Sequence, residues 1–176
     1  MLHGGQWYRA LTALTLHSDV VHLLGNVAFG AVFLPFFCRR VGVGVGIFLV
    51  LLAGALGNAG NVLMRSELHI SMGFSTALFA AVGGMAGAYA AQTMRPQRAS
   101  LLGALGAALA ILAMLGTGGD STDYGAHVWG LALGMLFGSV WQALMGRRVP
   151  AWGQWLAGAL ALAALAAAWA MALAAL

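Results

Sequence analysis

The chain has 176 residues, of which 62% are hydrophobic and 7% charged, against roughly 45–50% and about 25% in a soluble domain. That composition excludes an ordinary soluble globule. The net charge of +4 is carried by dispersed arginine pairs rather than a basic patch, so nucleic acid is excluded as a partner.

Eight arginines, no lysine and four acids cut the chain into six uncharged runs, 20–38, 41–64, 68–94, 99–119, 124–146 and 149–176. Each exceeds the ~18 residues that mark a candidate spanning helix, and six spans would take about 120 residues in all. The expected fold is therefore all-α and polytopic, with six transmembrane helices in one membrane domain over 1–176. A barrel would need an alternation of apolar and polar residues that is absent, and open backbone in lipid would leave its amides unsatisfied.

In chain order, residues 1–16 read as an outer segment. Arg9 interrupts them, and no basic stretch leads into an apolar core as in a cleavable signal peptide. The first run ends at Cys38, the single cysteine, which leaves no intramolecular disulfide to form. Arg39 and Arg40 follow it, Arg95 and Arg98 follow the third run, and Arg147 and Arg148 follow the fifth. By the positive-inside rule these three loops are cytoplasmic, and the 65–70 loop, the 116–124 loop and both termini are outside. Pro35, Pro96 and Pro150 are expected at or beside helix ends on the cytoplasmic side. Gly130, Gly134 and Gly138 repeat every four residues, and Gly83 with Gly87 makes a shorter stripe. These two helices are expected to meet backbone to backbone. The last run, nearly all Ala and Leu with Gln154 near its start, reads as a plain peripheral span, and Trp7, Trp152 and Trp155 as interfacial anchors.

Polar residues inside such runs are costly unless they pair or face water, so they point to function. His22 and Asn26 lie one helical turn apart at the start of the first run, Ser75 lies near the outer start of the third, and His127 near the outer start of the fifth. All three helices run from outside to inside, so these residues converge on one level. There His127 is placed to take the Ser75 proton, the minimum for an activated nucleophile. No acid lies within a run, so the pair would be a dyad. His22, Asn26 and the Ser75 backbone amide offer donors to a developing oxyanion. Phe79, four residues after Ser75, is placed to pack under the histidine ring. His17 lies five residues before His22, about 140° round an ideal helix, and is read as structural. A metal site of His17, His22 and His69 has no ligand spacing to support it, and no metal or cofactor is expected.

These residues carry a resemblance. His17, His22 and Asn26 fit HxxxxHxxxN, Gly73 and Ser75 with Thr76 fit the start of GxSG, and Ala126, His127, Gly130 and Gly134 fit AHxxGxxxG. With Tyr8-Arg9 ahead of them, the chain resembles a rhomboid intramembrane serine protease over about residues 6–140. The resemblance implies that Ser75 is the nucleophile, His127 the general base and then acid, and His22 and Asn26 the oxyanion donors. Arg9, His17, Gly73, Phe79, Gly130 and Gly134 are then supporting residues. The implied substrates are transmembrane proteins in the lipid bilayer, entering past the fourth span and cut near the outer face of a bacterial inner membrane. Segments with weak helix formers such as Gly or Ala there would be preferred, under a lid formed by residues 116–125.

The chain departs from the family pattern in two ways. Thr76 stands where the family usually has glycine, and its bulk is expected to press on the interface that sets the Ser75–His127 distance. The chain also reads as starting inside the family's first outer loop. On that reading 1–16 are its remnant, the family's first helix is missing, 17–146 are the catalytic helices, and 149–176 is an appended helix. Both features fit the alternative of an inactive rhomboid-like protein that binds membrane clients. A small transporter would instead carry polar residues at several depths.

Overall fold

The computed structural model describes residues 5–64, 71–92, 123–145 and 149–175. A short helix α1 (Arg9–Thr12) runs on into a 3-10 turn, Ala13–Thr15. Five long helices follow: α2 (Val20–Val41), α3 (Val43–Leu63), α4 (Ser75–Gln92), α5 (Tyr124–Met145) and α6 (Ala151–Ala174). No strand occurs among the described residues. Helices α2, α3, α5 and α6 are long and apolar enough to cross a membrane. The run at 99–119, expected as the fourth span, lies outside the described residues, as do the cytoplasmic arginines after the third and fifth runs and most of the expected lid.

Large apolar side chains cover the outside of the bundle, and the interior is small-residue along α4, beside a core of Leu14, Phe37, Val41, Val45, Val50 and Leu51. Val20, Val21, Leu24, Trp155 and Leu162 are exposed, whereas the buried side of α4 is Ser, Thr, Ala and Gly with Leu78 and Phe79. In lipid no hydrophobic drive separates the two classes, so helices associate where small residues let backbones approach. Helix α4 is the central one, packed against α2, α3 and α5. Its seam with α5 is the most extensive helix contact among the described residues, as the glycine stripes lead one to expect. A Cβ on Gly130, Gly134 or Gly138 would collide with the carbonyl oxygens of Thr76, Ala80 and Gly84 in turn. Reciprocally, Gly83 and Gly87 lie against the carbonyls of Leu131 and Met135.

Three expectations need correction. Pro35 lies inside α2 rather than at its end: the helix continues to Val41, with Arg39 and Arg40 in its last turn. Losing one amide bond at proline costs less than opening the helix in lipid, and cations suit a helix C-terminus. Arg40 also does more than set topology, since its guanidinium donates to Gln92 of α4 and, at 2.9 Å, to Gln142 of α5. Helix α6 is more than a plain span. Gln154 Nε2 donates to the Val41 carbonyl and its Oε1 accepts from Val45 N, both at 3.0 Å, across the Gly42 turn (φ +96°) that joins α2 to α3. At its other end Trp169 Nε1 donates to Thr15 Oγ1 at 3.1 Å.

Candidate active site

Three helices begin at one end of the bundle, and each brings a candidate residue in its first turns. Ser75 is the first residue of α4, and the turn before it is held by Gly73, whose φ of +124° favours glycine. The Gly73 amide donates to the Ala13 carbonyl at 2.9 Å, which ties the turn to the N-terminal segment. Gly73 is needed a second time for space, because a Cβ there would lie 2.6 Å from His22 Nε2 and 3.5 Å from Asn26 Nδ2. His22 and Asn26 on α2 therefore face the serine turn together.

His127 lies in the first turn of α5. Its Nε2 is 2.7 Å from Ser75 Oγ, and Phe79 stacks on its ring with centroids 4.6 Å apart and planes inclined by 30°. Ser75, Phe79 and His127 are all buried. The stack and the glycine seam together leave the imidazole little freedom to turn away. His127 Nδ1 is buried with no hydrogen-bond partner among the described residues.

Asp123, although close, serves the helix. Its carboxylate accepts from the Ala126 amide at 3.2 Å and from Asn61 Nδ2 on α3, so it caps α5 and fastens it to α3 in one step. Asn26 is only 5% exposed, and its Nδ2 has no partner among the described residues. A buried amide N–H left unmade is expensive in a finished structure, and an incoming anionic oxygen would satisfy it. The Ser75 amide belongs to the first turn of α4, where N–H groups have no partner within the helix.

His17 departs from the expected geometry. Helix α2 starts only at Val20, capped by Asp19 Oδ1 accepting from His22 N at 2.8 Å, so the ideal-helix angle does not apply to His17. Its ring instead meets the His22 ring edge-on, 5.2 Å between centroids. Burial, and then the neighbouring His22, hold the His17 pKa below its ordinary value. Arg9 is exposed on α1. Thr76 does not force the helices apart: its Cγ2 sits 3.0 Å and 3.1 Å from where side chains on Gly57 and Gly130 would begin. Two glycines absorb the methyl, and the Ser75–His127 contact stands.

A family model for the Rhomboid domain matches residues 4–144. The chain belongs to the rhomboid family. Rhomboid proteins are in general intramembrane serine proteases acting on transmembrane substrates, and with four long apolar helices among its described residues this rhomboid is an integral membrane protein. Comparison with curated proteins and with solved structures gives no match. The matched region runs from α1 almost to the end of α5, so α6 lies beyond it.

Several residues of this rhomboid's site are missed by the sequence reading. Asn58 and Asn61 are buried polar residues within the second run, and Asn58 Nδ2 donates to the Ala10 carbonyl at 3.0 Å. The cost of polar side chains in a span is the sequence signal that marks both. Ser18 and Asp19 precede α2 as an ordinary N-cap pattern and bear on His22.

Proposed function

We propose that this rhomboid is an active intramembrane serine endopeptidase that cleaves transmembrane segments with Ser75 as nucleophile and His127 as base. The observation that carries the reading is the 2.7 Å approach of His127 Nε2 to Ser75 Oγ on two helices locked by glycine. Ser75 Oγ attacks the scissile carbonyl carbon while His127 Nε2 takes its proton. The carbonyl oxygen, now anionic, is met by Asn26 Nδ2, the Ser75 amide and His22. As the intermediate collapses, His127 gives the proton to the leaving amine and an acyl-Ser75 remains. Water then attacks the acyl carbon, His127 takes its proton, and collapse returns the proton to Ser75 Oγ with release of the new carboxyl end.

Peptide hydrolysis consumes water, so the site opens to the aqueous phase at the end of the bundle where α2, α4 and α5 begin. By the arginine placement that end is the outer, periplasmic one, in a bacterial inner membrane. Substrates are segments that present extended backbone there, with Gly, Ala or other weak helix formers near the outer end. The alternative of an inactive client-binding member is weakened by the space that Gly57 and Gly130 leave for Thr76.

The test is labelling of the purified protein with a fluorophosphonate, alongside cleavage of a reconstituted transmembrane substrate. Wild type is expected to label and cleave, and Ser75→Ala and His127→Ala to do neither while remaining monodisperse in detergent. Cleavage by Ser75→Ala near the wild-type rate would end this reading.

A further inference from the structure

The start of α2 holds a short hydrogen-bond chain that decides where the His22 proton sits. Ser18 Oγ donates to Asp19 Oδ2 at 2.8 Å and lies 3.1 Å from His22 Nδ1. Asp19 Oδ1 meanwhile accepts from the His22 amide. The Asp19 pKa is held below its ordinary value by that amide first and by the Ser18 hydroxyl second, so the group is a carboxylate at neutral pH and has no hydrogen to give. A hydroxyl has a single hydrogen, and that of Ser18 goes to Asp19. Ser18 Oγ thus presents only lone pairs to His22 Nδ1, and Nδ1 must carry the proton. In a neutral imidazole this leaves Nε2 bare. Yet Nε2 is the atom facing Gly73, two residues from Ser75.

We propose that Ser18 and Asp19 are positioning residues that fix the His22 proton on Nδ1, so that His22 donates to the oxyanion only as an imidazolium. The proposal rests on the oxyanion role given to His22 above. Among the described residues the titratable groups facing His22 are Asp19 at its own helix start, His17 in the preceding loop and His127 on α5. In wild type His22 is therefore a donor to the oxyanion only when both ring nitrogens carry protons, whereas His127 acts as base only when neutral.

Asp19→Asn separates this from a merely structural role. Asparagine caps a helix as well as aspartate does, so its Oδ1 keeps the His22 amide. Its Nδ2 donates to Ser18 Oγ, which turns the hydroxyl toward Nδ1 and moves the ring proton to Nε2. The neutral ring is then a donor.

The experiment is nitrogen-15 NMR of ring-labelled histidine in micelles, with kcat followed against pH. The expected results are Nδ1–H for neutral His22 in wild type and Nε2–H in Asp19→Asn. The ratio of variant to wild-type kcat should be about tenfold or more higher at alkaline than at acid pH, one oxyanion donor among several being at stake. Ser18→Ala, which keeps the Asp19 cap, removes the acceptor at Nδ1 and is expected to raise the Nε2–H fraction should Asp19→Asn fold poorly. A wild-type neutral ring protonated on Nε2, or pH profiles that coincide in active wild type and Asp19→Asn, would overturn the proposal. Absence of both cleavage and Ser75 labelling in wild type would instead remove the protease reading and the catalytic consequence with it, while the spectrum still decides the proton's place.

Discussion

Asn61 Nδ2 lies 2.9 and 2.7 Å from the two carboxylate oxygens of Asp123, joining α3 to the first turn of the helix that carries His127. Both residues are buried, so neither loses its partner without a desolvation cost. Asp123→Ala is expected to cost about 1–3 kcal/mol by orphaning Asn61 and uncapping α5. Because His127 is four residues on, cleavage should fall too, mainly in kcat. Thermal melting in detergent and steady-state kinetics check the two effects; an unchanged melting temperature would show that the link adds nothing.

The seam of α4 and α5 makes a contrasting pair of glycine predictions. A Cβ on Gly134 would run into the Ala80 carbonyl, whereas one on Gly25 of α2 meets nothing within 4 Å. Gly134→Ala should destabilise by about 1–3 kcal/mol as overpacking does, and should lose most activity because Ser75 and His127 are carried apart. Gly25→Ala should leave activity alone and raise helix stability slightly, by up to about 1 kcal/mol. Equal behaviour of the two variants would mean that the seam is not tight.

Thr76→Gly tests the departure from the family pattern. The sequence alone suggests that removing the side chain would let the two helices close up and leave activity equal or higher. The structure argues otherwise, because the Thr76 carbonyl already lies against Gly130 and no approach remains to be gained. Removing a methyl that fills space beside Gly57 leaves a void and adds a helical glycine, together costing about 1–2 kcal/mol. The expected outcome is a lower melting temperature with cleavage near the wild-type rate when measured well below it. A marked rise in activity would restore the simpler expectation.

Asn26→Ala should lower kcat while leaving KM nearly fixed, since its buried Nδ2 has no partner among the described residues and would gain one in the proposed oxyanion. One donor acting alone is worth roughly 10²–10³ in rate, and with other donors present the loss should be smaller. A pure KM effect would assign Asn26 to substrate binding instead.

The parts legible in the sequence are those with a local or periodic signal. Long uncharged runs give the helices, the four-residue glycine stripe gives the α4–α5 seam, and polar residues at helix starts bring Ser75 and His127 to one level. Contacts between distant polar groups leave no such trace. Gln154 in an Ala-Leu helix names no partner, and its bonds to Val41 and Val45 exist only once α6 lies along α3. Asn61 and Asp123 are equally silent, one within a span and the other in a loop. His17 differs for another reason: it precedes Asp19, the residue whose cap starts the helix, so helical periodicity does not reach it.

The side of the membrane on which the dyad opens follows from labelling at loop positions. Ser75 begins α4 a few residues after the 65–70 segment, and His127 follows position 121 by six residues. The face on which cysteines at Ser66 and Ser121 react is therefore the face of the site. The arginine pairs predict that this face is external. In a Cys38→Ala background, cysteines at Ser66, Ser121 and Leu176 should react with an impermeant thiol reagent added to intact cells. Cysteines at Gln97 or Arg148 should react only after permeabilisation. The reverse pattern would place Ser75 at the cytoplasmic end of the bundle and would require substrates to be cut near their inner boundary.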